Sequence, residues 1–314
     1  MISVIGPAIV DVLVKPFRAE VFTKGTAAVD EARLSYGGNA LNEAVVLGRL
    51  GVDVELVTKV GRDEAGEQIL NFAKKANVST NRFIKEERLT TAINVVLVDE
   101  AGERFFLTNP NSNLRKLIYD DVEGCLDLLG DTVCFPCMFT SPLLDIPAMK
   151  KMFAKIKEKP NRKLFLDMTT PKNGESLEDL KELFPYVDYF MPNEKELGLL
   201  SGGADMDVAA RKVLDYGAGC VIIKRGKEDT AVFTREEDFF VPTYPNAKVV
   251  DSTGAGDSFG AGVIYGLETG MELKDAVRFG NAVASCAVEA LGATEGIQSV
   301  DEPMHRNLIL RQML

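Results

Sequence analysis

The chain of 314 residues has no tryptophan and a single histidine, His305. One imidazole near the C-terminus removes the usual base or ligand from Ser-His-Asp, Cys-His and poly-histidine metal chemistry. Cysteine is scarce as well: five residues, an odd count, too few to staple a fold of this size. Cys125, Cys220 and Cys286 sit in apolar stretches and read as core packing. Cys134 and Cys137 form a lone C-x-x-C, without the second pair that a zinc ribbon needs. They read as a redox pair or as buried thiols in a reducing compartment, and the thiols are the expectation. No apolar run approaches the roughly 18 residues needed to span a bilayer. The start, Met1 to Gly6, lacks the basic and long apolar regions of a secretory signal, so a cytoplasmic protein is expected. Positive charge is in deficit, with 36 Lys and Arg against 47 Asp and Glu and a net charge of −11. Neither nucleic acid nor a membrane is expected as a partner. An anionic ligand would need a local device such as a helix N-terminus.

Hydrophobic residues at 46% and charged residues at 26% are those of a globular chain, long enough for one large domain or two ordinary ones. Short β-branched runs alternate with amphipathic stretches. Strands are expected at Ile2–Ile5, Glu55–Thr58, Thr132–Phe135, Lys163–Asp167, Asp188–Met191 and Cys220–Lys224. Helices are expected at Asn39–Leu50, Glu64–Ala76, Ile146–Lys157, Leu177–Phe184 and Val208–Tyr216, and from Ala255 to about Leu291 with a break at Gly270. This alternation predicts an α/β fold, a mainly parallel sheet with helices on both faces. Two segments break the rhythm. Val12–Tyr36 lacks a helical period. Leu89–Leu107 alternates, turns at Asp99-Glu100-Ala101-Gly102-Glu103 and resumes, which is a hairpin signal. The two segments read as surface decoration or as a small second sheet over a ligand crevice, and the lid is preferred.

Four clusters carry chemistry. In Val250 to Gly262, small residues lead into a long helix. Gly254, Ala255 and Gly256 allow close backbone approach and point N–H groups outward, an anion site made of neutral parts. Asp257 reads either as a helix-dipole residue or as a base that takes a proton from an attacking hydroxyl. The run is neither a Walker A loop nor a G-x-G-x-x-G. In Ser35 to Ala44, a Gly-Gly pair again precedes a helix, and Asn39 and Asn42 fall on roughly one face. Two amides suit a polyhydroxylated ligand; Asn39 could equally cap the helix. Asp11, just past the first strand, could grip two hydroxyls. Asn193 and Glu196 make a capping box or a hard-cation site.

Together these residues resemble the ribokinase-like carbohydrate kinases, the PfkB family. Asp251-Ser252-Thr253-Gly254-Ala255-Gly256-Asp257-Ser258-Phe259 resembles their C-terminal signature, and Gly37 to Ala44, with Leu50-Gly51 after it, their N-terminal one. Asn193-Glu194-Lys195-Glu196 is similar to their N-x-x-E motif, and Gly61 to Gly66 to their G-x-D-x-x-G segment. The resemblance covers nearly the whole chain. It implies a single Rossmann-like kinase domain over residues 1–314, a β-sheet lid at about 12–36 and 89–107, and ATP-dependent phosphorylation of a sugar hydroxyl. It implies Asp257 as catalytic base and Gly254, Ala255 and Gly256 as anion hole. Asn193 and Glu196 would organise Mg2+ and phosphates, and Lys224, Gly226 and Asn281 would face the nucleotide. Asp11, Gly38, Asn39 and Asn42 would hold the sugar. Asp251 and Thr253 would serve a monovalent cation such as K+, and lids would pair between subunits of a homodimer. Two positions depart from the pattern: Asp229 replaces a turn glycine, and Asn39 stands where ribokinases often carry Lys.

The expected function is therefore transfer of the ATP γ-phosphoryl group to a primary hydroxyl of an unphosphorylated, furanose-type sugar, fructose-like or ribose-like. The candidates for a phosphate clamp, Arg33, Arg88 and Arg104, lie in or beside the lid segments and outside every binding motif, which favours an unphosphorylated acceptor. A nucleoside kinase, its base slot lined by Phe105, Phe106 or Met138, is the alternative within the fold. A catalytically silent sugar- or nucleotide-binding regulator is the alternative outside catalysis, and an NAD-dependent dehydrogenase lacks its fingerprint.

Overall fold

The computed structural model describes residues 1–100 and 103–312. Among them lie fourteen strands: β1 (Ile2–Ile5), β2 (Ile9–Lys15), β3 (Glu31–Gly37), β4 (Val54–Gly61), β5 (Val78–Ser79), β6 (Phe83–Glu86), β7 (Ile93–Val98), β8 (Arg104–Leu107), β9 (Thr132–Met138), β10 (Lys163–Met168), β11 (Tyr189–Phe190), β12 (Cys220–Ile223), β13 (Thr230–Phe233) and β14 (Asp238–Val241). Ten form one sheet in the order β14-β13-β12-β11-β10-β9-β1-β4-β5, with β6 also on β4. Pairing is parallel from β12 across to β5, and β13 and β14 return antiparallel.

The parallel strands are apolar along their whole length because both faces are covered. In β9 every residue is buried, and the pleat sorts them: Val133, Phe135 and Cys137 join one core, Cys134 the other. The first core packs under helices Ile146–Lys157 and Met206–Asp215. The second packs under helices Asn39–Leu50, Ala255–Glu268 and Leu273–Ala287. Helix Asn39–Leu50 is buried on nearly every side and stops at Gly51, whose φ of 92° lets its N–H reach back to Leu47 and Gly48. The last two helices meet at Gly262 and Gly280, where a Cβ on Gly262 would come within 2.8 Å of the Gly280 Cα. Among the described residues no helix is long and apolar enough to cross a membrane.

β2, β3, β7 and β8 form a separate four-stranded sheet in the order β3-β2-β7-β8. The two segments without helical rhythm thus meet in one sheet, as expected. The Asp99–Glu103 turn is closed by the Asp99 carboxylate accepting from the Glu103 N–H at 2.8 Å; Ala101 and Gly102 lie outside the described residues, as does the side chain of Arg104.

Several boundaries differ from the sequence reading. β2 starts at Ile9, before Val12, and Val12–Tyr36 also holds a one-turn helix, Val21–Lys24. β7 starts at Ile93 because Thr91 is diverted: its N–H donates to Asp63 and its hydroxyl accepts from the Gly61 N–H. Helix Leu177–Leu180 is split from a 3-10 turn at Phe184–Tyr186, since Pro185 lacks the N–H a continuous helix needs. β11 shortens to two residues, with the Asp188 side chain taking the Leu164 N–H at 2.6 Å. β13, β14 and a closing helix, Asp301–Arg311, fall outside the expected elements.

One buried charge ties the first core together. Arg162 is 1% exposed and donates to the carbonyls of Gly130, Leu126, Ile156 and Leu129 at 2.7–3.2 Å. Arg162→Ala strands these acceptors and opens a cavity, so it should destabilise the fold by about 3 kcal/mol or more. A loss under about 1 kcal/mol in urea unfolding would contradict the assignment.

Candidate active site

The parallel strands deliver their last residues to one edge, where open α/β sheets place their ligand crevices. Asp167 is the penultimate residue of β10. Asn193 and Lys224 follow β11 and β12 and extend that pairing by one bridge. The Lys224 main chain exchanges bonds with Pro192 and Glu194, each at 3.0 Å, which fixes it beside the start of helix Glu194–Leu200. Opposite stands the N-terminus of helix Ala255–Glu268. Asn39, Asn193, Glu196, Lys224, Gly254, Gly256 and Asp257 thereby line one cleft, with Gly226 at its edge.

Asp257 lies in the first turn of its helix and is 8% exposed. Two amides hold its carboxylate: Asn39 Nδ2 donates to Oδ1 at 2.9 Å and Asn42 Nδ2 to Oδ2 at 2.7 Å. Burial pushes its pKa up, and the two amides and the Lys224 ammonium only partly offset this. Asn39 is not a cap; Gly38 occupies the N-cap with φ 97°, and its carbonyl accepts from the Asn42 N–H at 2.9 Å. Asn42 Oδ1 is buried and has no hydrogen-bond partner among the described residues. Gly254 serves as N-cap at φ 70° with no side-chain cap on the first turn; the Ala255 N–H turns back to the Ser252 carbonyl at 3.3 Å, which leaves the Gly256 and Asp257 N–H groups open toward an anion.

Lys224 is the ammonium of the cleft. It is ion-paired to Asp167 with both side chains largely buried. Burial lowers the pKa of Lys224, but Asp167, Glu196 and Asp257 outweigh it and hold the ammonium charged. Burial pushes Asp167 up to about 7 against the pull of Lys224. Asn193 and Glu196 form the capping box: the Glu196 N–H donates to Asn193 Oδ1 at 2.8 Å and the Asn193 N–H to Glu196 Oε2 at 2.9 Å. Burial raises the Glu196 pKa. Beneath the cleft, Glu43 is 1% exposed and contacts the Cys134 thiol; burial, then Asp257 and Asp167, push its pKa well above the usual carboxylate range. Among the described residues no three His, Cys, Asp or Glu side chains form a metal cage.

Other expected residues lie outside this cluster. The Asp11 carboxylate is on β2 of the small sheet, accepting from Asn94 Nδ2 at 3.2 Å. Asn281 spends its amide on structure, accepting from Thr230 Oγ1 and donating to the carbonyls of Val241 and Pro242. Asp251 braces a turn, accepting from the Thr253 N–H and hydroxyl and from the Gly292 N–H. Cys134 and Cys137 are buried in β9 with thiol pKa values pushed up by burial, the environment of inert packing thiols. Met138 is wholly buried and lines no base slot, while Phe105 and Phe106 are exposed on the small sheet.

A larger cavity of about 740 Å³ joins the cleft through Asn39 and Thr169. It contains two cations that the sequence reading passed over, Arg115 and Lys172. Neither sits in a recognisable motif. Asp167 and Glu43 were also missed, though a carboxylate at the end of a parallel strand and a Glu inside the run Ala40–Leu50 are both visible signals.

Residues 1–299 match the family model described as pfkB family carbohydrate kinase. An uncharacterized sugar kinase of Archaeoglobus fulgidus is 33% identical over 81% of this chain and 99% of its own length. A ribokinase of Staphylococcus aureus is 28% identical over 88% of this chain and 90% of its own. A solved structure, a putative ribokinase II of E. coli in complex with ATP and Mg2+, superposes with a TM-score of 0.83 at 24% identity, covering 98% of this chain and 99% of that one.

The glycine at the head of the helix separates two effects. Gly254 and Gly270 both have positive φ, but a Cβ on Gly254 would lie 2.3 Å from the Ala293 carbonyl oxygen, whereas Gly270 faces open space. Gly270→Ala should cost about 1 kcal/mol and Gly254→Ala about 2–3 kcal/mol. Equal losses in thermal unfolding would show that close approach is not what Gly254 provides.

Proposed function

The chain belongs to the pfkB family of carbohydrate kinases and is a phosphotransferase with an alcohol group as acceptor; on that premise we propose that it transfers the γ-phosphoryl group of ATP to a primary hydroxyl of an unphosphorylated, furanose-type sugar. The observation that carries this reading is Asp257, a carboxylate gripped by two amides and set beside uncapped helix N–H groups. Phosphoryl transfer needs positioning and charge stabilisation more than covalent chemistry. A histidine-poor, acidic chain meets that need with one base, one ammonium and backbone dipoles.

Asp257 takes the proton of the attacking hydroxyl. The raised pKa makes its carboxylate a stronger base than an exposed aspartate. The Gly256 and Asp257 N–H groups stabilise charge on the phosphoryl group in flight, and Lys224 adds a positive charge on the same side. The donor set suits magnesium: Asn193 offers an amide oxygen and Glu196 a carboxylate whose Oε1 stays outside the capping box, the sparse oxygen set that leaves room for water ligands. When bound, the ion neutralises phosphate charge. The acceptor is held by hydroxyl-binding groups, among them Asn39 and Asn42 beside Asp257 and, on the small sheet, the Asp11 carboxylate.

The small sheet acts as lid and subunit interface. Leu34, Phe105, Phe106 and Leu107 are each about half exposed or more, an apolar surface that suits a second copy of the sheet. Phe106→Asp should shift the sedimentation of the protein from dimer to monomer; a wild-type monomer at micromolar concentration would end the dimer reading.

Asp257→Asn tests the chemistry. It should lower kcat by roughly 10² to 10⁴, the usual contribution of a general base, and leave the ATP dissociation constant within about threefold. Turnover near wild type, with product identified by phosphorus NMR, would reduce Asp257 to a helix-dipole residue.

A further inference from the structure

The 740 Å³ cavity beside the cleft has a charge pattern that a neutral sugar leaves unused. Its two acids are already engaged. Asp145 accepts from the Ala148 N–H at 2.9 Å as the cap of helix Ile146–Lys157. Glu175 accepts from the N–H groups of Lys172 and Asn173 and from the Asn173 side-chain amide, each at 2.9 Å. Its two cations are not engaged. Neither the Arg115 guanidinium nor the Lys172 ammonium has an ion-pair or hydrogen-bond partner among the described residues. They come from different elements, Arg115 from the short turn Asn113–Arg115 and Lys172 from the loop after β10. Both residues are exposed on the wall of the cavity, and in a chain with eleven more acids than bases two cations facing one cavity make it locally attractive to negative charge.

We infer that Arg115 and Lys172 form an anion subsite of the acceptor pocket, and that the acceptor carries a carboxylate at the end remote from the hydroxyl delivered to Asp257. The inference rests on the kinase reading and narrows its substrate to a sugar acid. The cavity runs from Asn39, which touches Asp257, to the two cations, so one ligand spans both. A carboxylate fits better than a phosphate. Phosphate sites commonly add backbone N–H groups of a helix start to their cations, and the one helix start in this wall is filled by Asp145 and loses an N–H to Pro147. The same two carboxylates, Asp145 and Glu175, would repel a dianion more than a monoanion. A guanidinium donates to a carboxylate in a paired, planar contact.

The test compares acceptors by ADP release with MgATP: ribose and fructose as neutral sugars, 2-keto-3-deoxygluconate as sugar acid, and fructose 6-phosphate. The wild type, Arg115→Ala, Lys172→Ala and Arg115→Lys are each measured, and calorimetry follows binding of the sugar acid without ATP. The sugar acid should exceed both neutral sugars in kcat/KM by about tenfold or more. Each alanine variant should raise its KM by about 10-fold to 100-fold, the size of a charged hydrogen bond, with a smaller change in kcat. The preference for acid over neutral sugar should collapse in both, and Arg115→Lys should recover part of it. A neutral sugar preferred by the wild type, or a preference that survives both alanine variants, overturns the subsite. Fructose 6-phosphate preferred over the acid overturns the carboxylate assignment and the unphosphorylated reading together. Binding of the sugar acid that depends on Arg115, with no acceptor phosphorylated, upholds the subsite and rejects the kinase reading instead.

Discussion

Four carboxylates, Asp257, Asp167, Glu196 and Glu43, lie in or under one cleft that holds a single buried ammonium, Lys224. Like charges at short range in a poorly solvated site repel by several kcal/mol unless each is held separately. The structure holds each in its own way. Asp167 takes the Lys224 ion pair. Asp257 takes two neutral amides. Glu196 takes a backbone N–H in a capping box. Glu43 forms no ion pair among the described residues, and its environment favours the protonated form. This arrangement leaves Asp257 as an ionisable group of raised basicity, pointed at by donors that cannot neutralise it.

The rest of the fold serves that arrangement. Parallel strands bring Asp167, Asn193 and Lys224 to one edge. Helices Asn39–Leu50 and Ala255–Glu268 start at the same edge, so the amides of one meet the carboxylate of the other. Gly254 gives the second helix its uncapped start, and Gly262 and Gly280 let the helix behind it pack at short range. The site is thus built from the ends of strands and helices. A buried acidic cluster of this kind is costly to folding, a cost that active sites commonly carry.

The sequence made the core legible where local rules and packing agree. Helices Asn39–Leu50 and Ile146–Lys157 have the bounds their patterns predict, because Gly51 ends one and Asp145 with Pro147 starts the other. The Asp251–Phe259 run identified the helix start that bears Asp257. The reading failed where one residue diverts the backbone: Thr91, Pro185 and Asp188 each move a boundary by a local contact. The role of Asn39 and Asn42 was partly legible. Their shared face was visible, but their common partner, more than 200 residues away, was not. Arg115 and Lys172 carry no motif; their significance lies in what does not pair with them, and this appears only in three dimensions.

The pH dependence of kcat at saturating substrates tests most directly whether Asp257, kept basic by burial, takes the acceptor proton. The base works only when ionised, so the rate should fall as pH falls through its raised pKa. An acid limb displaced above the ordinary aspartate value of about 3.9 is expected, absent from the residual rate of Asp257→Asn. An acid limb at or below that value, or the same limb in the variant, would contradict it.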